Sequence, residues 1–217
     1  MPEGMNRKEH WERVYRDKAA DQVSWYQADP AVSLRLIREA LPDPAGAIID
    51  VGGGASTLAG LLVDAGYRRV SVVDLSGAAL AAARVRMGPA ADSVDWIEAD
   101  ALALPLSPGA FDLWHDRAVF HFLTSPADRR GYVAQVTRTL KPGGLVLIAT
   151  FAPDGPLRCS GLDTVRYGPE SLQAELGPDF SLLKHVREEH LTPDGRVQPF
   201  TYCLFGGRRA PEPRVSL

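Results

Sequence analysis

The segment that most constrains this chain of 217 residues is 48–56, IIDVGGGAS, where a short apolar strand runs into three glycines and a serine. Glycine lets the backbone turn sharply with no side chain in the way, and Ser56 can cap a following helix. This order is typical of parallel sheets that hold the polar part of a nucleotide-like cofactor at the turn. The glycines are Gly52, Gly53 and Gly54. The third glycine of a dinucleotide fingerprint is absent, because Thr57 occupies its position.

Apolar runs alternate with capped helical segments along most of the chain. The runs are residues 47–51, 70–74, 93–98, 111–115 and 145–151. Two more strands, 180–189 and 198–206, are joined by the turn TPDG and must pair antiparallel. The pattern predicts an α/β fold: a doubly wound, Rossmann-like, seven-stranded sheet with helices on both faces and a C-terminal antiparallel strand pair. Residues 141–144 are predicted to form a turn and 152–161 a loop.

Two helical segments precede the first strand, at residues 6–18 and 30–41, and an aromatic connector joins them. Asp29 is predicted to cap the second of these helices. We therefore divide the chain into an N-terminal helical cap or lid (1–42), a cofactor-binding Rossmann-like core (43–208) and a polar tail (209–217).

The formal net charge of −3 gives no general attraction to nucleic acid or to an anionic membrane. Two cysteines argue against a disulfide-stapled secreted scaffold, and the N-terminus lacks the apolar core of a signal peptide. No apolar run approaches the length of a membrane span. We expect a cytoplasmic protein, a monomer or homodimer, that does not act on nucleic acid.

Three aspartates follow successive predicted strands. Asp50 precedes the glycines, where it can orient the turn or meet an ammonium group. Asp74 ends the second strand, where a carboxylate can accept both ribose hydroxyls of an adenosine. Asp100 follows the third strand and can accept from the adenine amine. Since open α/β sheets bind ligands at the carboxyl ends of their strands, these carboxylates predict one cofactor site.

At these residues the sequence resembles the class I S-adenosylmethionine (SAM) methyltransferases. The matching stretches are 50–54, 72–76, 99–102, 111–113 and 140–144. The resemblance implies SAM as cofactor, with its methionine part on the glycine turn, its ribose on Asp74 and its adenine on Asp100. Leu75, Ser76 and Ala101 lie in the matching stretches and become cofactor contacts.

A narrower resemblance, carried by Trp11, Tyr15 and the segments 24–26 and 66–70, is to the methyltransferase-like enzymes that methylate lysines of elongation factor 1A and citrate synthase. Those enzymes have Asp-Lys-Gly after the fourth strand, where this chain has HDRAVFH at residues 115–121. The resemblance implies methyl transfer to an N, O or S nucleophile of a small molecule or a protein side chain.

The polar residues after the fourth strand are candidates for the chemistry. His115 is the first choice for a base or a substrate-orienting group, because imidazole titrates near neutrality, and it is also assigned to the cofactor. Asp116 can hold a cationic substrate or a histidine tautomer, and His121 is a further catalytic candidate. Arg117 can bind an anionic substrate or the SAM carboxylate. A base is needed only if the acceptor is protonated at neutral pH.

Aromatic residues of the cap can close over the cofactor by a cation–π contact with its sulfonium. Tyr15 and Trp25 are assigned to the cofactor and Tyr26 to the acceptor. Other acceptor candidates follow the fifth strand: Arg158, Arg166 and Tyr167, with Cys159 beside them.

No metal site is expected, because Cys159, His185, His190 and Cys203 lack closely spaced ligand pairs. Two alternatives stay open: a SAM-binding module without turnover, and an NAD-dependent oxidoreductase. Thr57 and the terminal strand pair argue against the second.

Overall fold

A computed structural model describes residues 6–208, so the predicted tail lies outside the described residues. The helices are α1 (Arg7–Asp17), α2 (Ala31–Ala40), α3 (Leu58–Asp64), α4 (Gly77–Met87), α5 (Pro126–Thr139) and α6 (Pro169–Leu176). The strands are β1 (Ala47–Val51), β2 (Arg69–Asp74), β3 (Val94–Glu98), β4 (Phe111–Arg117), β5 (Leu140–Phe151), β6 (Arg158–Cys159), β7 (Leu162–Asp163), β8 (Phe180–Leu191) and β9 (Val197–Gly207). Across residues 6–208, every helix is too short or too polar to cross a bilayer.

Seven strands form one sheet in the order β3-β2-β1-β4-β5-β9-β8. The neighbours from β3 to β5 are parallel, whereas β9 is antiparallel to both β5 and β8. The predicted fold class, including the C-terminal antiparallel pair, is therefore confirmed. Because the strand order reverses at β1, the crevice at the carboxyl ends of β1 and β4 is where such a sheet binds ligands.

The sheet is covered on both faces, and alternate residues of each central strand enter opposite cores. On one face Trp114 of β4 packs with Tyr132 of α5 and Leu172 of α6. On the other face Leu113 packs with Ile37 of α2 and Leu58 of α3. This alternation decides which side of the sheet each polar residue at the end of β4 can reach.

Three local predictions were wrong. Residues 141–144 belong to β5, since Leu140 already pairs with Phe111 of β4. The pairing is irregular between Phe111 and Leu113, and Gly143 of β5 has a left-handed backbone at φ 76°. The predicted loop 152–161 includes β6, which pairs with β7 as a small hairpin. At α2 the cap is Pro30, with no side-chain cap from Asp29.

Candidate active site

The glycine turn after β1 is built around two left-handed residues, Gly52 at φ 68° and Gly54 at φ 47°. The Gly52 amide donates to the Val73 carbonyl at 2.7 Å, which draws the turn against β2. A Cβ atom on Gly52 would lie 1.9 Å from Cγ2 of Val119. Both the backbone conformation and the close approach therefore require glycine here.

Asp74 ends β2 beside this turn and is 9% exposed. Its Oδ1 accepts from the Ser76 amide at 2.8 Å. Burial raises the pKa of Asp74 to about 7, and the negative charges of Asp50 and Glu12 also raise it. The backbone amides that donate to the carboxylate lower the pKa, but by less. The pKa shift means that this carboxylate lacks enough donors for its charge, and a ligand hydroxyl can supply one.

A cavity of about 960 Å³, open solvent at its mouth included, runs along the carboxyl ends of the strands. Its adenosine side, as we name it from its carboxylates, is lined by Asp74, Leu75, Ala99, Asp100 and Ala101. The part beyond β1, which we call the aromatic chamber, is lined by Trp11, Trp25, Arg117, Ala118, His121, Phe122, Phe151, Cys159, Leu162 and Phe200. Gly52 and Tyr15 also line this cavity.

Asp100 lies at the adenosine side with Oδ1 accepting from the Leu102 amide at 2.9 Å. Ser76 is buried and caps α4, where its side chain accepts from the Ala79 amide. The cap residue Tyr15 accepts at its hydroxyl from Nε1 of Trp25 at 3.2 Å. Trp11 packs edge-on against Trp25, with ring centroids 5.7 Å apart. Part of the predicted aromatic lid therefore does line the cavity.

A second cavity lies beneath the glycine turn. It shares Tyr15, Trp25, Gly52 and Arg117 with the first and adds, among others, Tyr26, Gln27, Ser33, Asp50, Gly53 and His115. The predicted cofactor residues line these two neighbouring spaces, except Gly54 and Ser76, which line neither. Tyr26, predicted to contact the acceptor, faces this second cavity and does not line the aromatic chamber.

The prediction that His115 stands in the acceptor space as a base is wrong. His115 is 2% exposed and projects toward α2. Its Nδ1 donates to Oδ1 of Asp50 at 2.7 Å, and its Nε2 accepts from the Ser33 hydroxyl at 2.9 Å. Both ring nitrogens are occupied, so His115 has no free lone pair for an acceptor proton.

Asp116 is also not a catalytic group, because it is fully buried on the opposite face of β4. Its carboxylate accepts from the backbone amides of Val119 and Phe120, at 2.8 and 3.0 Å, and from the Tyr132 hydroxyl. Burial raises the pKa of Asp116 to about 6 against these hydrogen bonds. The side chain holds the turn after β4 and reaches neither cavity.

His121 is the predicted catalytic residue that does line the aromatic chamber. It is fully buried, and its Nδ1 accepts from the Phe151 amide at 3.3 Å. Its Nε2 has no hydrogen-bond partner among residues 6–208. Burial, followed by the charge of Arg117, lowers the pKa of His121 to about 3, so the ring is neutral and a poor base at neutral pH.

Arg117 reaches from the end of β4 between the two cavities. Its Nε donates to the Tyr202 hydroxyl at 2.8 Å and its Nη1 to the Trp25 carbonyl at 2.9 Å. The guanidinium lies 4.3 Å from the ring centre of Phe200, and Glu188 forms an ion pair with Nη2 at 3.5 Å. These contacts fix Arg117 in one orientation beside the aromatic chamber.

Three predicted acceptor contacts lie outside both cavities. Arg158 pairs with Asp163 across the β6–β7 hairpin, and its side chain is 67% exposed. Arg166 is exposed and donates to the Gly155 carbonyl. Tyr167 is buried in the core against Phe120. The β6–β7 hairpin directs the Arg158 side chain outward, whereas Tyr167 enters the core.

The cysteines have separate positions. Cys159 lines the aromatic chamber, where burial raises the pKa of its thiol, and Cys203 is fully buried in β9. No group of three or more histidine, cysteine or acidic side chains within residues 6–208 could hold a metal ion.

Four further residues in or beside these cavities were not predicted from the sequence: Ser33, Glu188, Phe200 and Tyr202. Ser33 is a fully buried polar residue on the apolar face of α2, between Leu36 and Pro30. A serine in this apolar pattern could have indicated a buried hydrogen bond. Phe200 and Tyr202 look like ordinary strand residues, and only the pairing of β9 with β5 brings them to the site.

Comparison with known proteins agrees with this geometry. Residues 48–144, from β1 to the first part of β5, match the family model described as a methyltransferase domain. Over this segment the chain is similar to methyltransferase domains. The match spans the glycine turn and the strands that carry Asp74 and Asp100.

Among curated relatives, the ubiquinone/menaquinone biosynthesis C-methyltransferase UbiE of Roseobacter denitrificans is 31% identical over 126 residues, covering 54% of this chain and 49% of that protein. The eEF1A lysine and N-terminal methyltransferase of Danio rerio is 25% identical over 149 residues, 67% of this chain and 21% of that protein. This chain thus spans about half or less of the length of these relatives.

A solved structure of a SAM-dependent methyltransferase from Anabaena variabilis superposes with a TM-score of 0.74 over 94% of this chain and 96% of that one, at 18% identity. This likeness extends the shared fold beyond the matched domain to α1, α2 and the terminal strand pair.

Proposed function

We propose that this chain transfers a methyl group from SAM to a small-molecule acceptor held in the aromatic chamber. One observation carries the proposal: one cavity joins two carboxylates at the ends of β2 and β3 to a space with aromatic walls. The first part suits an adenosyl group, and the second suits a planar or apolar acceptor.

The residues present fit SAM. Asp74 is a buried carboxylate short of donors, and ribose hydroxyls would supply them. Asp100 and the backbone beside Ala101 flank the space for an adenine. Gly52 and Gly53 leave room for the backbone to approach a ligand, and Asp50 lies under the turn where it can attract an ammonium group.

When bound, SAM supplies a methyl group on a positively charged sulfur, which a lone pair can attack without prior activation. The task left to the protein is to position the acceptor and to exclude water, which can contribute about 7–11 kcal/mol to lowering a barrier. Trp11, Trp25 and Phe122 form an edge-to-face aromatic wall that excludes water. Arg117 and His121 provide the polar contacts that orient the acceptor.

A small molecule is favoured over a lysine side chain. A lysine needs a carboxylate to attract its ammonium and a base to remove a proton. Within residues 6–208, the carboxylates that line this cavity, Asp74 and Asp100, lie on its adenosine side, and its histidine is held neutral. The bacterial relatives named for ubiquinone and menaquinone biosynthesis support a small acceptor. We further propose, from charge and composition, a cytoplasmic monomer or homodimer that does not act on nucleic acid.

Isothermal titration calorimetry with SAM, S-adenosylhomocysteine and NAD tests the cofactor. We expect the first two to bind and NAD not to. Asp74→Asn and Asp100→Asn should weaken S-adenosylhomocysteine binding about 5- to 100-fold, because each loses a hydrogen bond to a charged group. The exposed Asp92→Asn is the matched control and should bind normally. Tight NAD binding would contradict the proposal.

Turnover is tested by release of S-adenosylhomocysteine with a panel of small phenols, thiols and amines. We expect release with at least one small acceptor and none with lysine peptides. SAM binding without release for any acceptor class would instead favour a binding module without turnover.

A further inference from the structure

The tautomer of His121 is fixed by the backbone. Its Nδ1 accepts a hydrogen bond from the Phe151 amide, so that nitrogen carries a lone pair and the ring proton of the neutral imidazole is on Nε2. Nε2 is fully buried, lines the aromatic chamber and has no partner within residues 6–208. A buried donor without a partner costs about 1–3 kcal/mol, which a ligand oxygen would recover.

Arg117 also lines the aromatic chamber. Its Nη2 is buried and makes no hydrogen bond within the described chain, although Glu188 lies 3.5 Å away as an ion-pair partner. The guanidinium covers one part of the Phe200 ring, and the His121 ring lies near the same ring, with centroids 6.4 Å apart. Both side chains therefore lie beside Phe200, and each has one N–H without a hydrogen bond within the described residues.

Glu188 stays behind this pair. It accepts from the Tyr202 hydroxyl at 3.0 Å and from the Gln27 amide at 2.9 Å, so it is held in place. Because Glu188 already balances much of the Arg117 charge, the two donors select a ligand by short hydrogen bonds more than by long-range attraction.

The remaining chamber walls are apolar, apart from the thiol of Cys159, which burial keeps protonated. Within the described residues, the chamber contains donors but no group suited to remove a proton. An acceptor that fits it arrives with an oxygen that is already negative or strongly accepting, on a flat apolar body.

We propose that His121 Nε2 and Arg117 Nη2 form a two-donor site for the phenolate or enolate oxygen of a planar methyl acceptor. This inference rests on the proposed function and names its substrate class. The two donors would hold the oxygen in its ionised form, and electron density from that oxygen makes the acceptor nucleophilic. His121 is then a donor to the substrate and not a base.

The test uses protein loaded with S-adenosylhomocysteine and two matched probes, 4-nitrophenol and 4-nitroanisole. The probes share a ring but differ in the ionisable oxygen, and the absorbance of 4-nitrophenol reports its ionisation. We expect 4-nitrophenol to bind as the phenolate at least about tenfold more tightly than 4-nitroanisole, as one or two hydrogen bonds to a charged oxygen predict.

His121→Phe and Arg117→Met should each reduce this preference about tenfold. His121→Gln, which restores an N–H donor, should recover part of the preference. The exposed Asp92→Asn, which lies outside both cavities, is the control, so its preference should match that of the original chain. The comparison of the two probes on the unmodified protein stands even if a variant does not fold.

Equal affinity for the two probes, binding of 4-nitrophenol in its neutral form, or no binding of either probe would overturn this inference while S-adenosylhomocysteine still binds. Loss of S-adenosylhomocysteine binding by the unmodified protein would overturn the proposed function itself, and the inference with it.

Discussion

The Nδ1 atom of His115 lies 2.7 Å from Oδ1 of Asp50, and both side chains are 2% exposed. This hydrogen bond joins β4 to the residue that precedes the glycine turn, and Ser33 extends it to α2. The three residues form a buried chain of hydrogen bonds across the sheet face. It holds the turn in place, in a region where a catalytic base was predicted.

His115→Ala should therefore act on stability and cofactor binding together. Removing the ring leaves Asp50 buried without a donor, which costs about 1–3 kcal/mol of the free energy of unfolding in a urea titration. Ser33→Ala removes one hydrogen bond and should cost about 1 kcal/mol. A His115→Ala protein with unchanged stability and cofactor affinity but no turnover would restore the catalytic role.

Cofactor binding should strengthen as pH rises through the pKa of Asp74, about 7. Ribose hydroxyls donate to the ionised carboxylate, so S-adenosylhomocysteine affinity should increase about tenfold from about pH 6 to about pH 8. Calorimetry across this range measures it, and Asp74→Asn should bind weakly with a flat profile. A flat profile for the original chain would contradict the ribose role.

The stability of the ligand-free protein should change in the opposite direction. The folded pKa of Asp74 is raised above its unfolded value of 3.8, so the folded state binds more protons between about pH 4 and pH 7. The contribution of Asp74 to the free energy of unfolding is thus fully present below about pH 4, and it is lost as the pH rises through about 7. Asp74→Asn should remove this part of the slope in urea titrations.

Gly52→Ala should destabilise the protein far more than Gly109→Ala. Both glycines have left-handed backbones, at φ 68° and φ 62°, so both substitutions cost about 1 kcal/mol in strain. Gly52 alone has a neighbour in the way, Val119, and overpacking adds about 1–3 kcal/mol. Urea titration measures both variants. Similar losses would mean that Val119 moves aside freely.

Asp116→Ala should lower stability without a selective effect on methyl transfer. The change leaves the amides of Val119 and Phe120 without their acceptor, at about 1–3 kcal/mol for a buried donor. When turnover is measured well below the unfolding temperature, the KM of this variant for SAM should stay within about threefold of that of the original chain, since Asp116 lines neither cavity. A loss of kcat in a stably folded variant would return Asp116 to the chemistry.

Local chemistry made much of the fold predictable. Helix α4 begins where Ser76 can cap it, and α5 begins after Ser125, whose side chain accepts from the Ala127 amide. The glycine turn and the carboxylates at the strand ends were visible because strand, turn and helix follow one another directly. The antiparallel pairing of β8 and β9 follows from their short connection.

The polar residues after β4 show what could not be predicted. Successive side chains of a strand point to opposite faces, so His115 and Asp116 could never share one space. Which face each one meets depends on α2 and α5, distant in sequence, and these supply Ser33 and Tyr132. Similarly, the hairpin that carries Arg158 outward depends on pairing with residues beyond the loop.

The sequence by itself determined the order of strands and helices, the glycine turn and the edge of the sheet where the carboxylates lie, because these depend on neighbours along the chain. Only the tertiary structure decided which polar groups are left free. Hydrogen bonds between distant elements occupy His115 and Asp116, whereas His121 and Arg117 keep one donor each toward the chamber. A side chain becomes available to a ligand when no other part of the protein satisfies it, and that depends on the whole fold.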